Sequence, residues 1–96
     1  MVDQNKKFEI ADDTETKARD REVQILLNIV EPDPTYHPWI LTDEASLFDA
    51  VGTDEDEMLR RLALYFRGDF SFSMSQPVWK LVDEIKSVYP NWPDDW

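Results

Sequence analysis

The chain has no cysteine, one histidine, two glycines and, from Glu22 to Leu59, not a single lysine or arginine. Without cysteine there is no disulfide, no thiolate nucleophile and no Cys-ligated zinc or iron–sulfur centre. With His37 as the only histidine, a dyad or triad built on two histidines is ruled out. No apolar run approaches the roughly 18 residues that a membrane-spanning helix needs. Nor does a basic segment lead into an apolar stretch near Met1, so neither a cleaved secretion signal nor a membrane anchor is expected. The expectation is a soluble cytoplasmic protein.

What is present fits one domain. At 96 residues and 42% apolar composition, the chain supplies one modest core, burying about 60–65% of its extended surface. The segment Met1–Asp13 has few apolar side chains, among them Val2, Phe8 and Ile10, and is expected to be flexible because burial does not offset its ordering entropy. Twenty-one acidic residues against ten basic ones give a formal charge of −11. That charge repels nucleic-acid backbone and anionic lipid and favours basic protein surfaces. No direct nucleic-acid or membrane partner is expected. The basic residues lie only within Lys6–Arg21 and Arg60–Lys86, and ten of the acids crowd between Glu22 and Leu59.

Apolar spacing predicts helices. Val23, Leu26, Leu27 and Val30 mark the buried face of a helix from about Thr14 or Glu15 to Val30, capped by Asp13 or Thr14 and widened by Ile25 and Ile29. Pro32 and Pro34 end it. A long connection follows, and Tyr36, His37, Pro38, Trp39, Ile40 and Leu41 are expected to fold over the core. A short helix at Glu44–Val51 would turn Leu47, Phe48 and Val51 inward, with Gly52 as punctuation. Thr53 is the expected cap of the next helix, with Asp56 in the reciprocal position. Leu59, Leu62, Ala63 and Phe66 form its stripe, with Met58 and Tyr65 flanking, and Arg67-Gly68 marks its end. Phe70, Phe72 and Met74 alternate with Ser71, Ser73 and Ser75, the period of an extended segment packed on one side. That segment is either a core-lining loop or one strand of an unrecognised pair. Ser75 is the expected cap of the last helix, whose stripe is Val78, Leu81, Val82, Ile85 and Tyr89. The fold class is all-α: a small irregular helical bundle over residues 14–90, with a tail at 91–96 carrying Trp92 and Trp96.

The run Leu41-Thr42-Asp43-Glu44-Ala45-Ser46-Leu47-Phe48-Asp49-Ala50-Val51-Gly52-Thr53-Asp54 resembles the approach to the second helix of acyl carrier proteins. Ser46, Asp49, Gly52 and Asp54 match that family's pattern, Val51 stands for its leucine, and Met58, Leu59, Leu62 and Phe66 continue the match. Over roughly residues 15–88 the resemblance implies an acyl-carrier-like bundle. The serine that receives phosphopantetheine in the family aligns with Glu55, and the leucine after it with Asp56. Glutamate has no hydroxyl to modify, so no phosphopantetheine and no other cofactor is expected. Ser46 lies well before that position and reads as part of a turn. The short distance from Glu55 to Val78 implies a third helix reduced to Phe70–Met74. The chain is similar to uncharacterised bacterial acyl-carrier-like proteins in which this turn is also acidic.

The cluster Asp54, Glu55, Asp56 and Glu57 admits capping and helix-dipole electrostatics of about 0.3–1 kcal/mol per charge, or a docking surface for a basic partner. Metal binding fits least, because consecutive side chains splay around a helix and no calcium-loop spacing occurs. His37, among prolines and aromatics, reads as structural, and no local motif supplies a serine nucleophile with a base. Trp39 and Trp79 are expected to cover the core. Trp92 and Trp96 either fold back or form an exposed aromatic–acidic anchor. The function expected is a non-enzymatic protein-interaction module whose face at Asp49 and Asp54–Glu57, together with Trp92 and Trp96, binds a basic protein surface. The alternative is an acidic inhibitor or immunity-type protein that masks a nucleic-acid-binding or nuclease surface.

Overall fold

A computed structural model of the chain describes residues 13–38, 40–68 and 70–94. Among them lie five α-helices and no strand: α1 (Thr14–Ala18), α2 (Asp20–Val30), α3 (Leu47–Ala50), α4 (Glu55–Tyr65) and α5 (Val78–Val88), with a 3-10 turn at Pro34–Tyr36. This is a small all-α irregular bundle. The expectations for residues 1–12, Trp39 and Trp96 lie outside the described residues.

The stripe Val23, Leu26, Leu27 and Val30 is buried as its spacing predicts, and α2 packs on α4 and α5. The single helix expected from Thr14 to Val30 is instead two. At Arg19 the backbone leaves helical geometry (φ −118°, ψ 31°), and its N–H bonds back to the Thr16 carbonyl at 3.1 Å. The Arg19 side chain reaches across to α5, donating to both oxygens of Asp83 at 2.7 and 2.9 Å, and its guanidinium lies 5.0 Å from the Trp79 ring. Asp13 does not cap α1. Its carboxylate faces Lys17 at 3.5 Å, and the free N–H groups of Glu15 and Thr16 donate instead to Asp43, at 3.0 and 2.8 Å.

In α4 the cap is Asp54 rather than Thr53. Asp54 accepts from the N–H groups of Asp56 and Glu57 at 3.1 and 3.3 Å, while the Thr53 hydroxyl donates to Glu31 at 3.0 Å. The buried face is correspondingly displaced. Met58, Leu62 and Phe66 are fully buried, whereas Leu59 is 39% exposed. A flexible methionine fills the seam where leucine was expected. Beyond α4, Arg67 and Gly68 take positive φ (65° and 85°), closing the helix with a left-handed turn in which glycine is favoured.

Phe70 and Phe72 pack on the core and Met74 is buried, while the alternate serines are exposed. The segment is a core-lining loop, and neither a strand nor a reduced third helix forms there among the described residues. Ser75 does not cap α5. Its hydroxyl lies 3.2 Å from that of Ser73, Pro77 occupies the cap position, and the Val78 N–H donates to the Ala45 carbonyl at 3.0 Å. Val78, Leu81, Val82 and Ile85 are buried as expected. The rings of Phe70, Tyr89 and Trp92 gather around Phe66, with centroids 5.5, 5.7 and 5.8 Å away. Of the long connection, Leu41 packs on the core, but Tyr36 and Ile40 are exposed.

Candidate functional site

The sequence places ten carboxylates between Glu22 and Leu59 with no lysine or arginine among them, and most of them prove to be occupied. Four sit at backbone turns and helix starts, where N–H groups lack intrahelical partners. Asp33 accepts from Thr35 N at 2.9 Å, and the hydrogen bonds from Thr35 hold its carboxyl below the ordinary range. Asp43 serves α1 from a distance and also accepts from the Thr16 hydroxyl at 2.8 Å. Partial burial pushes the Asp43 carboxyl up, but the N–H groups of Glu15 and Thr16, the Thr16 hydroxyl and the Arg19 charge outweigh it and hold the group low. Asp49 and Ser46 form a capping box around α3, so Ser46 is a helix cap as well as a turn residue. Asp54 caps α4.

Glu57, expected on the docking face, turns back along its own helix. It accepts from Arg60 and from Arg61, the latter at 2.8 Å. Those hydrogen bonds hold its carboxyl well down, to about 2. Arg61 also donates to the Val30 carbonyl at 2.7 Å, which ties α4 to the end of α2. Glu22 pairs with Lys86 of α5 at 3.0 Å. Glu31 accepts from the Thr53 hydroxyl and, at 3.2 Å, from Asp33 N.

Glu44, Glu55 and Asp56 remain. All three are exposed, and among the described residues none has a side-chain hydrogen bond or ion pair; Glu55 and Asp56 share the first turn of α4. The structure thus brings Asp54, Glu55, Asp56 and Glu57 together as one helix start, but leaves only two of the four carboxylates unengaged. Asp49 is also exposed, with its carboxylate in the α3 capping box.

Trp92 does not belong to an exposed anchor. It is 1% exposed, and its indole N–H donates to the Tyr65 hydroxyl at 3.0 Å. Fold-back wins because the aromatic cluster around Phe66 offers both apolar cover and a partner for the N–H. Trp79 is half-buried and donates to the Asp43 carbonyl at 2.8 Å. The His37 Nε2 lies 2.5 Å from the Glu31 carbonyl; a carbonyl only accepts, so this nitrogen carries the hydrogen. His37 thus ties down the turn after α2.

Two concavities were not foreseen from sequence. One, about 230 Å³, lies between α1, α2 and the long connection, lined by Thr16, Val23, Leu27 and Leu41 among others. The other, about 260 Å³, is an open notch lined by Glu31, Tyr36, Gly52 and Thr53. Its signal in the sequence was faint: an aromatic in a proline-bracketed turn and a glycine just before an acidic helix start. Among the described residues, no group of three His, Asp or Glu side chains is placed to hold a metal ion, every buried side-chain nitrogen or oxygen has a partner, and no helix is long and apolar enough to cross a membrane. No protein-family model, curated protein or solved structure matches the chain.

Proposed function

We propose that the chain is a non-enzymatic protein-interaction module with an acyl-carrier-like helical fold, whose acidic first turn of α4 binds a basic surface on another protein. The observation that carries this reading is the division within that turn. Asp54 and Glu57 are engaged by backbone N–H groups and by Arg60 and Arg61, whereas Glu55 and Asp56 stand exposed and unpaired among the described residues. The positive end of the helix favours them there by about 0.3–1 kcal/mol each, and both remain free to meet a cation. The acyl-carrier-like part rests on the sequence run ending at Asp54 and on Glu55 opening α4 where the carrier serine would stand. A carboxylate cannot take up phosphopantetheine. Treatment with a phosphopantetheinyl transferase is expected to leave the intact mass unchanged, and a mass gain would overturn this part.

The docking face is tested by reversing Glu55 and Asp56 to lysine together. Reversing both charges forfeits their favourable interaction with the positive helix end, about 0.3–1 kcal/mol each, so the unfolding midpoint should fall modestly while the fold persists. The basic proteins retained from a lysate by the immobilised chain at low salt should be lost. An unchanged set of retained proteins would sink the proposed face. Release of the retained partner by duplex DNA would turn the reading towards masking of a nucleic-acid-binding surface.

A further inference from the structure

The notch beside α4 has features that the acidic turn alone does not. Tyr36 is 64% exposed, yet its backbone is fixed. The 3-10 turn that carries it is capped by Asp33, and the following residue, His37, is bonded to the Glu31 carbonyl. Across the notch, the Glu31 carboxylate is half-buried and held by two neutral donors, the Thr53 hydroxyl on one oxygen and Asp33 N on the other. Each oxygen keeps a further lone pair for a donor. Among the described residues no Lys or Arg forms an ion pair with Glu31. Arg61, which reaches the neighbouring Val30 carbonyl, pairs with Glu57 instead. Gly52 lines the notch, and a Cβ built there meets nothing within 4 Å. A larger side chain at this position therefore has room to enter the space beside it.

We propose that this notch receives an arginine side chain from a basic, extended segment of the partner protein, its guanidinium against the Tyr36 ring and hydrogen-bonded to Glu31. The inference rests on the docking reading above and names the chemistry of its partner. A planar guanidinium both stacks on an aromatic face and presents paired donors to a carboxylate, which a lysine ammonium does not. Thr53 leads directly into Asp54, Glu55 and Asp56, so basic residues flanking the inserted arginine meet the unpaired carboxylates of α4. Charge complementarity therefore extends beyond the notch.

The test is a titration of the isotopically labelled full chain with an arginine–serine repeat peptide at low ionic strength, followed by amide chemical shifts. Perturbations should centre on Glu31, Tyr36, Gly52 and Thr53, and should fade as salt is added. Tyr36→Ala should weaken binding about two- to five-fold, and Glu31→Gln about three-fold or more. Gly52→Leu changes no charge and should block binding by filling the notch, with an unchanged unfolding midpoint. A lysine–serine peptide should bind more weakly than the arginine peptide. If Glu55→Lys with Asp56→Lys abolishes binding while Gly52→Leu, Tyr36→Ala and Glu31→Gln leave it intact, the notch is overturned and the acidic face stands. Absence of binding to the unmodified chain overturns the notch as well, and leaves the acidic face to be judged by the lysate experiment.

Discussion

Trp92 is the residue whose truncation is expected to cost most. Its indole is enclosed by the aromatic cluster and its N–H is bonded to Tyr65, so Trp92→Ala should lower stability by about 3–5 kcal/mol in urea unfolding. Trp92→Phe keeps most of the apolar area and loses one hydrogen bond; about 1 kcal/mol of additional loss for that bond is expected. At the start of α4, Asp54→Ala should cost about 1 kcal/mol and Thr53→Ala clearly less. The reverse order would show that Thr53 is the cap. Sequence pattern could not separate these neighbours, because both residue types cap helices. The choice was made by Glu31, twenty-two positions earlier, which takes the Thr53 hydroxyl. Long-range partners of this kind leave no local trace.

At the scale of elements, α1 depends on the connection rather than on its own sequence. Asp43→Asn should cost about 1–3 kcal/mol and expose the Glu15 and Thr16 amides to rapid hydrogen exchange, while α2 and α5 stay protected. Asp43 and Glu57 also predict the acid limb of stability. Both carboxyls are held low in the folded chain, so their contribution is complete above their ordinary values and is lost as pH falls through the folded ones. For Glu57 that window runs from about 4.5 down to about 2. Glu57→Gln should flatten unfolding midpoints across that range. The stripes of α2 and α5 were legible because their apolar spacing is unbroken and nothing overrides it. The phase of α4 is not legible in the spacing, because Met58 and Leu59 are adjacent and both apolar, and packing against α2 chooses between them. The break at Arg19 leaves no local trace, since the partner its side chain reaches there, Asp83, lies on α5. The acidic turn was plain in sequence; the notch was not, because it needs Tyr36 and Gly52 brought together by the fold.

For the whole molecule, charge and packing act in opposite senses. A net −11 makes the folded chain repel itself, and raising salt from about 0.01 M to about 0.15 M shortens the screening distance from about 30 to about 8 Å. The exposed ion pairs lose little over that range, so the thermal midpoint should rise. A fall would mean that Arg19–Asp83, Arg21–Asp94 and Glu22–Lys86 outweigh the repulsion.

Those three pairs share a direction: each joins the first described helices to the last part of the chain. The α2 stripe is likewise covered by α4 and α5, and the aromatic cluster is completed only by Tyr89 and Trp92. During synthesis, then, α2 can close only on α4 until α5 and the residues after it have emerged. Chains halted before Val78 should remain unfolded and protease-sensitive, and folding should register as one late event rather than as growth outward from α2.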